Sequence, residues 1–169
     1  MKTMKRILAV SILVLNYMIG FAFSGSGALL ISNCYVIGGS IQGNNCIGGI
    51  IGYDYYGGHA GALTIEKCHN SANITGTSKI GGICGSMNGN SSPGLYMRDC
   101  FSIGDVTGMS MVGGIVGHCE TVYSWITKYD CARPDLVCER TYVRGNIKCI
   151  DTTCGIVGYA YAHGWTPGS

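Results

Sequence analysis

One stretch is written four times along this chain, and that repetition restricts the fold more than any other feature. Its clearest copy is CFSIGDVTGMSMVGGIVG, from Cys100 to Gly117. Earlier copies are CYVIGGSIQGNNCIGGIIG, from Cys34 to Gly52, and CHNSANITGTSKIGGICG, from Cys68 to Gly85. A fourth, TYVRGNIKCIDTTCGIVG, runs from Thr141 to Gly158. The second and third align at an offset of 32 without a gap, placing Ile74 on Val106, Gly76 on Gly108 and Ile80 on Val112. The fourth follows at an offset of 41, with Cys149 for Gly108, Cys154 for Gly113 and Thr141 for Cys100. The first carries one extra residue near Gly38 and Gly39. A period in this range marks stacked repeats, in which each unit needs its neighbours to enclose a core.

Each unit reads as three short strands. The first surrounds the cysteine, as in LYMRDCF from Leu95 to Phe101; the second centres on Val106; the third is MVGGIVG, from Met111 to Gly117. Val and Ile fill the apolar positions, as strands favour. No unit offers the i, i+3, i+4, i+7 run that a helix needs. Gly accounts for 28 of the 169 residues, and each one inside a helix would cost about 1 kcal/mol relative to Ala. An apolar share of 47% against 12% charged is too high for a disordered chain. The expected fold class is all-β: a β-solenoid (parallel β-helix-like) of about four glycine-rich repeats, burying columns of Val, Ile and Cys. A β-sandwich of hairpins is the alternative.

The repeat endings GGIIG, GGICG, GGIVG and CGIVG resemble the GLUG motif, a repeat of large exported bacterial proteins. That family includes adhesin-like surface proteins and the non-catalytic part of some immunoglobulin A peptidases. The resemblance covers Ile31 to Gly158. It implies a surface-exposed β-rich repeat region without catalytic residues. Cys154 and Thr141 depart from the pattern.

Residues 1–24 have the three-part form of a secretory signal peptide. Lys2, Lys5 and Arg6 are followed by an apolar run from Ile7 to Phe23 and by small residues at Ala22 and Ser24. An uncleaved anchor is the competing reading. The expected organisation is signal peptide 1–24, repeat domain 31–158, and 159–169 as a tail or a truncated next repeat. The expected location is secreted or cell surface, with membrane contact only through the signal segment. Without the three N-terminal cations the chain holds 8 Lys and Arg against 9 Asp and Glu, so no basic field remains for nucleic acid.

Ten cysteines suit an exported chain. Cys34, Cys68 and Cys100 occupy equivalent positions, where parallel Cβ vectors fit a disulfide poorly; they read as small buried residues. Cys119 with Cys131 or Cys138 is the expected staple, bracketing the longest variable segment. The four histidines lie far apart and no Cys-x-x-Cys occurs, so neither a metal nor another cofactor is expected. No Gly-x-Ser-x-Gly elbow is present. Asp99 aligns with Asn33, Lys67 and Arg140, which reads as a solvated column. Asp105 aligns with Asn73 and Asn146, which reads as a turn role.

Aromatic residues crowd the variable segments that follow the third strand. They are Tyr53, Tyr55, Tyr56, His59, Tyr123, Trp125, Tyr159, Tyr161, His163 and Trp165. Aromatic faces beside polar groups suit sugar rings or a protein partner, and equally suit loop ends or a neighbouring domain. The expected function is an exported, non-enzymatic repeat module for cell-surface adhesion or scaffolding. Its expected partners are a glycan or a host or cell-surface protein, besides further repeats or domains. The alternatives are a non-catalytic segment of a larger secreted peptidase and a β-helix carbohydrate-active enzyme.

Overall fold

The computed structural model describes residues 29–56, 63–90, 94–122, 135–151 and 154–162. The signal-like segment 1–24 lies outside them. Repeat one supplies β1 (Leu29–Ser32), β2 (Tyr35–Val36), β3 (Ser40–Gln42), β4 (Asn45–Gly48) and β5 (Ile51–Tyr56). Repeat two supplies β6 (Leu63–Glu66), β7 (His69–Asn70), β8 (Asn73–Thr75), β9 (Ser78–Gly81) and β10 (Cys84–Asn90). Repeat three supplies β11 (Gly94–Arg98), β12 (Phe101–Ser102), β13 (Val106–Thr107) and β14 (Ser110–Val122). Repeat four supplies β15 (Asp135–Glu139), β16 (Tyr142–Val143), β17 (Ile147–Lys148) and β18 (Cys154–Ala162).

The described chain is all-β, contains no helix, and pairs its strands in parallel throughout. Three four-stranded sheets run β1-β6-β11-β15, β2-β7-β12-β16 and β3-β8-β13-β17. The largest runs β4-β9-β14-β10-β5, with β18 also on β14. It has a nearly closed, barrel-like form, with β9 and β10 on successive parts of β14 and β4 and β5 on β9 and β10. Parallel neighbours cannot be joined by a two-residue hairpin; here the remaining strands of each repeat make the connection.

The sequence offset is also the pairing register. Tyr35 pairs with His69 at an offset of 34, and Ser40 pairs with Asn73 at 33. The extra residue of repeat one is therefore absorbed between Val36 and Ser40, where Gly38 and Gly39 take φ of 67° and 84°. Those left-handed values suit glycine. Repeat four is less regular than its alignment. Cys154 pairs with Val112 and Gly155 with Gly113, an offset of 42, before a bulge restores 41 at Val116 and Val157. The gap-free alignment of Cys154 on Gly113 is corrected by this bulge.

The expectation of three strands per repeat is also corrected. The single strand from Leu95 to Phe101 breaks at Asp99, giving β11 and β12 to different sheets. Asp99 has φ 53°, and the equivalent Asn33, Lys67 and Arg140 have 55°, 52° and 49°. For residues such as Lys and Arg that conformation costs about 1–2 kcal/mol. It is held because each corner N–H reaches the next repeat: Asn33 to the Glu66 carbonyl, Lys67 to Arg98 and Asp99 to Glu139, at 2.9–3.1 Å. A second left-handed series, Cys46, Lys79 and Met111 (54°, 59° and 52°), recurs near the start of the third expected strand.

Two apolar clusters fill the interior. The larger gathers Leu63, Ile65, Ile83, Met87, Met97, Ile115 and Val116 with Cys68, Cys84, Cys100 and Cys119. The smaller holds Ile47, Ile74, Ile80, Val106 and Val112, flanked by Ile41 and Ile147. Its members form two in-register columns, so each side chain lies against its equivalents in neighbouring repeats. Full burial of one such side chain contributes about 1.5–3 kcal/mol.

Candidate functional site

The polar side chains of the repeat are spent largely on joining one repeat to the next. Asn73 Oδ1 accepts the Asp105 N–H at 2.9 Å, and Asp105 Oδ1 accepts the Asn146 N–H at 2.8 Å. Asp105, read from sequence as a turn residue, here links repeat three to its neighbours on both sides. Arg140 donates from Nε (2.5 Å) and Nη2 (3.0 Å) to the two oxygens of Asp99. That guanidinium holds the Asp99 carboxyl below its ordinary range. Arg98 meets Glu139 at 3.1 Å one column away. Inside, the buried Asn70 donates to the Ala72 carbonyl, accepts the Ala72 N–H and lies 3.5 Å from Ser102 Oγ.

The aromatic residues named from sequence divide into two groups. His59, Tyr123, Trp125, His163 and Trp165 lie outside the described residues. Tyr53, Tyr55, Tyr56, Tyr159 and Tyr161 stand on strands β5 and β18, because these continue four or more residues beyond the repeat's last glycine. The register places Tyr53, Ser86, His118 and Tyr159 in one column. That column carries Tyr53 and Tyr159, but not as neighbours. Strands β10 and β14 separate the two, which at about 4.8 Å per strand puts them about 14 Å apart.

Between them sits His118. It is buried, shares a 3.0 Å hydrogen bond with Ser86 Oγ through Nδ1, and stacks on Tyr159 at 5.6 Å with ring planes 2° apart. Burial first, and then the charge of Lys79, push its imidazole below the ordinary value. Glu120, whose Oε2 lies 3.7 Å from Nε2, acts in the opposite direction.

A second aromatic column follows the first position of each repeat, Cys34, Cys68, Cys100 or Thr141: Tyr35, His69, Phe101 and Tyr142. Their centroids are 4.3, 4.6 and 4.9 Å apart, the first pair tilted by 32° and the others within 7° of parallel. The next column, with Asn70 and Ser102 fully buried, turns inward, so this ladder turns outward. Burial lowers the His69 imidazole from its ordinary value. Sequence reading passed over these rings because they are scattered singly in the chain. The visible signal was the residue after each repeat's first position: Tyr, His, Phe and Tyr.

Cys34, Cys68 and Cys100 do form a column of free thiols. Cys68 Sγ donates to the Glu66 carbonyl at 3.2 Å and Cys100 Sγ to that of Arg98 at 3.2 Å. Hydrogen bonding to Cys100 and burial together push the Cys68 thiol well up. Of the expected staple, Cys119 and Cys138 are both free and Cys131 lies outside the described residues. The bonded pair is instead Cys149–Cys154, with Cα atoms 6.0 Å apart. Cys149 stands where repeat three has Gly108, and Cys154 is the register partner of Val112. Burial pushes the Cys119 thiol up to about 11.

Comparison with protein-family models, with curated proteins and with solved structures finds no match to this chain.

Proposed function

We propose that the four repeats stack as coils of a β-solenoid, and that the chain is an exported, non-enzymatic module serving as a structural scaffold at the cell surface. One observation carries the reading. The polar groups with the widest chemical repertoire, Asp99, Asp105, Asn70 and Asn73, are engaged in repeat-to-repeat or turn contacts. Supporting it, each sheet takes strands from the repeats at the same offsets, as coil-on-coil stacking requires. The GLUG-like endings support the exported, surface-located part of the reading.

The coil reading is tested by inserting a second copy of residues 69–100 after Cys100. A solenoid accepts an added coil, with a larger β signal in circular dichroism and a melting temperature no lower than before. A closed barrel has no place for it and would lose cooperative unfolding. Surface export is tested by protease shaving of intact cells, where an undigested chain would refute it. Release of reducing sugar from a polysaccharide panel would instead identify a carbohydrate-active enzyme. An adhesive role is favoured by Tyr53 of β5 and Tyr159 of β18 sharing one column. Replacing Tyr53 and Tyr159 with Ala should then weaken glycan or surface-protein binding without altering the β signal.

A further inference from the structure

The outward ladder cannot act as a flat platform along its length, because its rings cover one another's faces. The open faces are at the ends. Tyr35 is 42% exposed and Tyr142 48%, and each has its ring partner on one side only among the described residues. Ile37, two residues after Tyr35, is 83% exposed.

The same ends present open backbone. The His69 and Ser71 N–H groups donate to the Cys34 and Val36 carbonyls. Phe101 and Ile103 repeat the bonds onto Cys68 and Asn70, and Tyr142 and Arg144 repeat them onto Cys100 and Ser102. By that pattern the Tyr35 and Ile37 N–H groups point away from repeat two. The Thr141 and Val143 carbonyls point away from repeat three. None of the four has a backbone partner among the described residues. Exposed strand edges are ordinarily blunted by charge or proline. Residues 29–56 contain no proline, no Lys or Arg, and one carboxylate, Asp54. Residues 135–151 balance Asp135, Glu139 and Asp151 against Arg140, Arg144 and Lys148. The end repeats are also alike, with Tyr-Val at 35–36 and 142–143 and Tyr-x-Tyr from 53 and from 159.

We propose that a second copy of this chain docks head to tail, repeat one of one copy on repeat four of the next. Tyr35 then stacks on Tyr142 of the adjoining copy, and the Tyr35 and Ile37 N–H groups donate to its Thr141 and Val143 carbonyls. The two surfaces differ, so the contact is heterologous and grows into an open filament. The inference rests on the stacked-repeat reading.

The test is sedimentation velocity and negative-stain microscopy of the full chain over a concentration series. The expected result is a sedimentation coefficient that rises with concentration, and rods of constant width. Ile37→Pro removes one donor from the open edge, and Tyr142→Lys blocks the opposite end with charge. Neither removes a backbone bond between repeats. Each variant alone should stay a monomer with an unchanged circular dichroism spectrum. Mixed, they should form a two-chain species that grows no further, because each retains the end that the other lacks. A wild-type chain monomeric at every concentration overturns the proposal, as does growth that persists in either variant. Loss of the β signal in either variant would indict the stacked-repeat reading itself, which separates the two failures.

Discussion

Gly113 and Gly155 are register partners in adjacent repeats, yet they should respond oppositely to the same substitution. A Cβ on Gly113 would collide with the Val116 carbonyl oxygen and stand 2.6 Å from the Val116 carbonyl carbon and 2.7 Å from the Gly158 nitrogen. All three are backbone atoms, so no side chain can rotate aside and the strand itself must shift. Overpacking costs about 1–3 kcal/mol, and a purely backbone clash belongs at the upper end. The reduced freedom of the unfolded chain returns about 0.4–1 kcal/mol. Gly113→Ala should therefore lose about 2 kcal/mol, which for a chain of this size lowers Tm by about 4–8 °C. At Gly155 the nearest atoms to a new Cβ are the Val157 oxygen at 3.3 Å and nitrogen at 3.9 Å. Gly155→Ala should leave Tm within about 2 °C of the parent, since only the unfolded-chain term of under 1 kcal/mol is left. Thermal unfolding followed by circular dichroism separates the two. Equal losses, or a neutral Gly113→Ala, would refute close backbone approach as the reason for the glycine.

Other outcomes follow from the same packing. Ile74→Ala, at a fully buried position in the smaller cluster, should cost about 2–4 kcal/mol, read as a lowered denaturant midpoint at unchanged m-value. Acid should destabilise the fold. The folded-state values of His69, His118 and Asp99 are all depressed, so the folded chain binds fewer protons than the unfolded one. Their stabilisation is complete above the unfolded values of 6.5 and 3.8 and is lost as pH falls toward the folded ones. Tm should drop between about pH 7 and 5 through the histidines, and His69→Phe with His118→Gln should flatten that slope; a Tm that rises on acidification would contradict it. Finally, tryptic cleavage after Lys148 leaves Cys149 and Cys154 in one peptide. Without reduction that peptide should resist alkylation, whereas the native Cys68 and Cys100 thiols should be slow to react because they are buried.

Much of the architecture was legible in the residues alone. The offsets of 32 and 41 are also pairing offsets, because a repeat that lacks a wall must borrow it from its equivalent neighbour. The cysteine column and the extra residue at Gly38–Gly39 follow from that same translation. The candidate site was less legible. Tyr53 and Tyr159 were sought on loops and stand on strands, and the ladder of Tyr35, His69, Phe101 and Tyr142 went unnoticed until strands brought the rings within 5 Å.

What an alignment encodes is translation from one repeat to the next, and this chain states that translation plainly. It does not encode where the backbone turns within a repeat. Lys67 has no intrinsic liking for positive φ, and the Lys67 and Asp99 N–H groups reaching across to the Arg98 and Glu139 carbonyls hold the corners before Cys68 and Cys100. The division into four sheets depends on such corners. They were decided by contacts between residues far apart in the chain, which no local preference specifies.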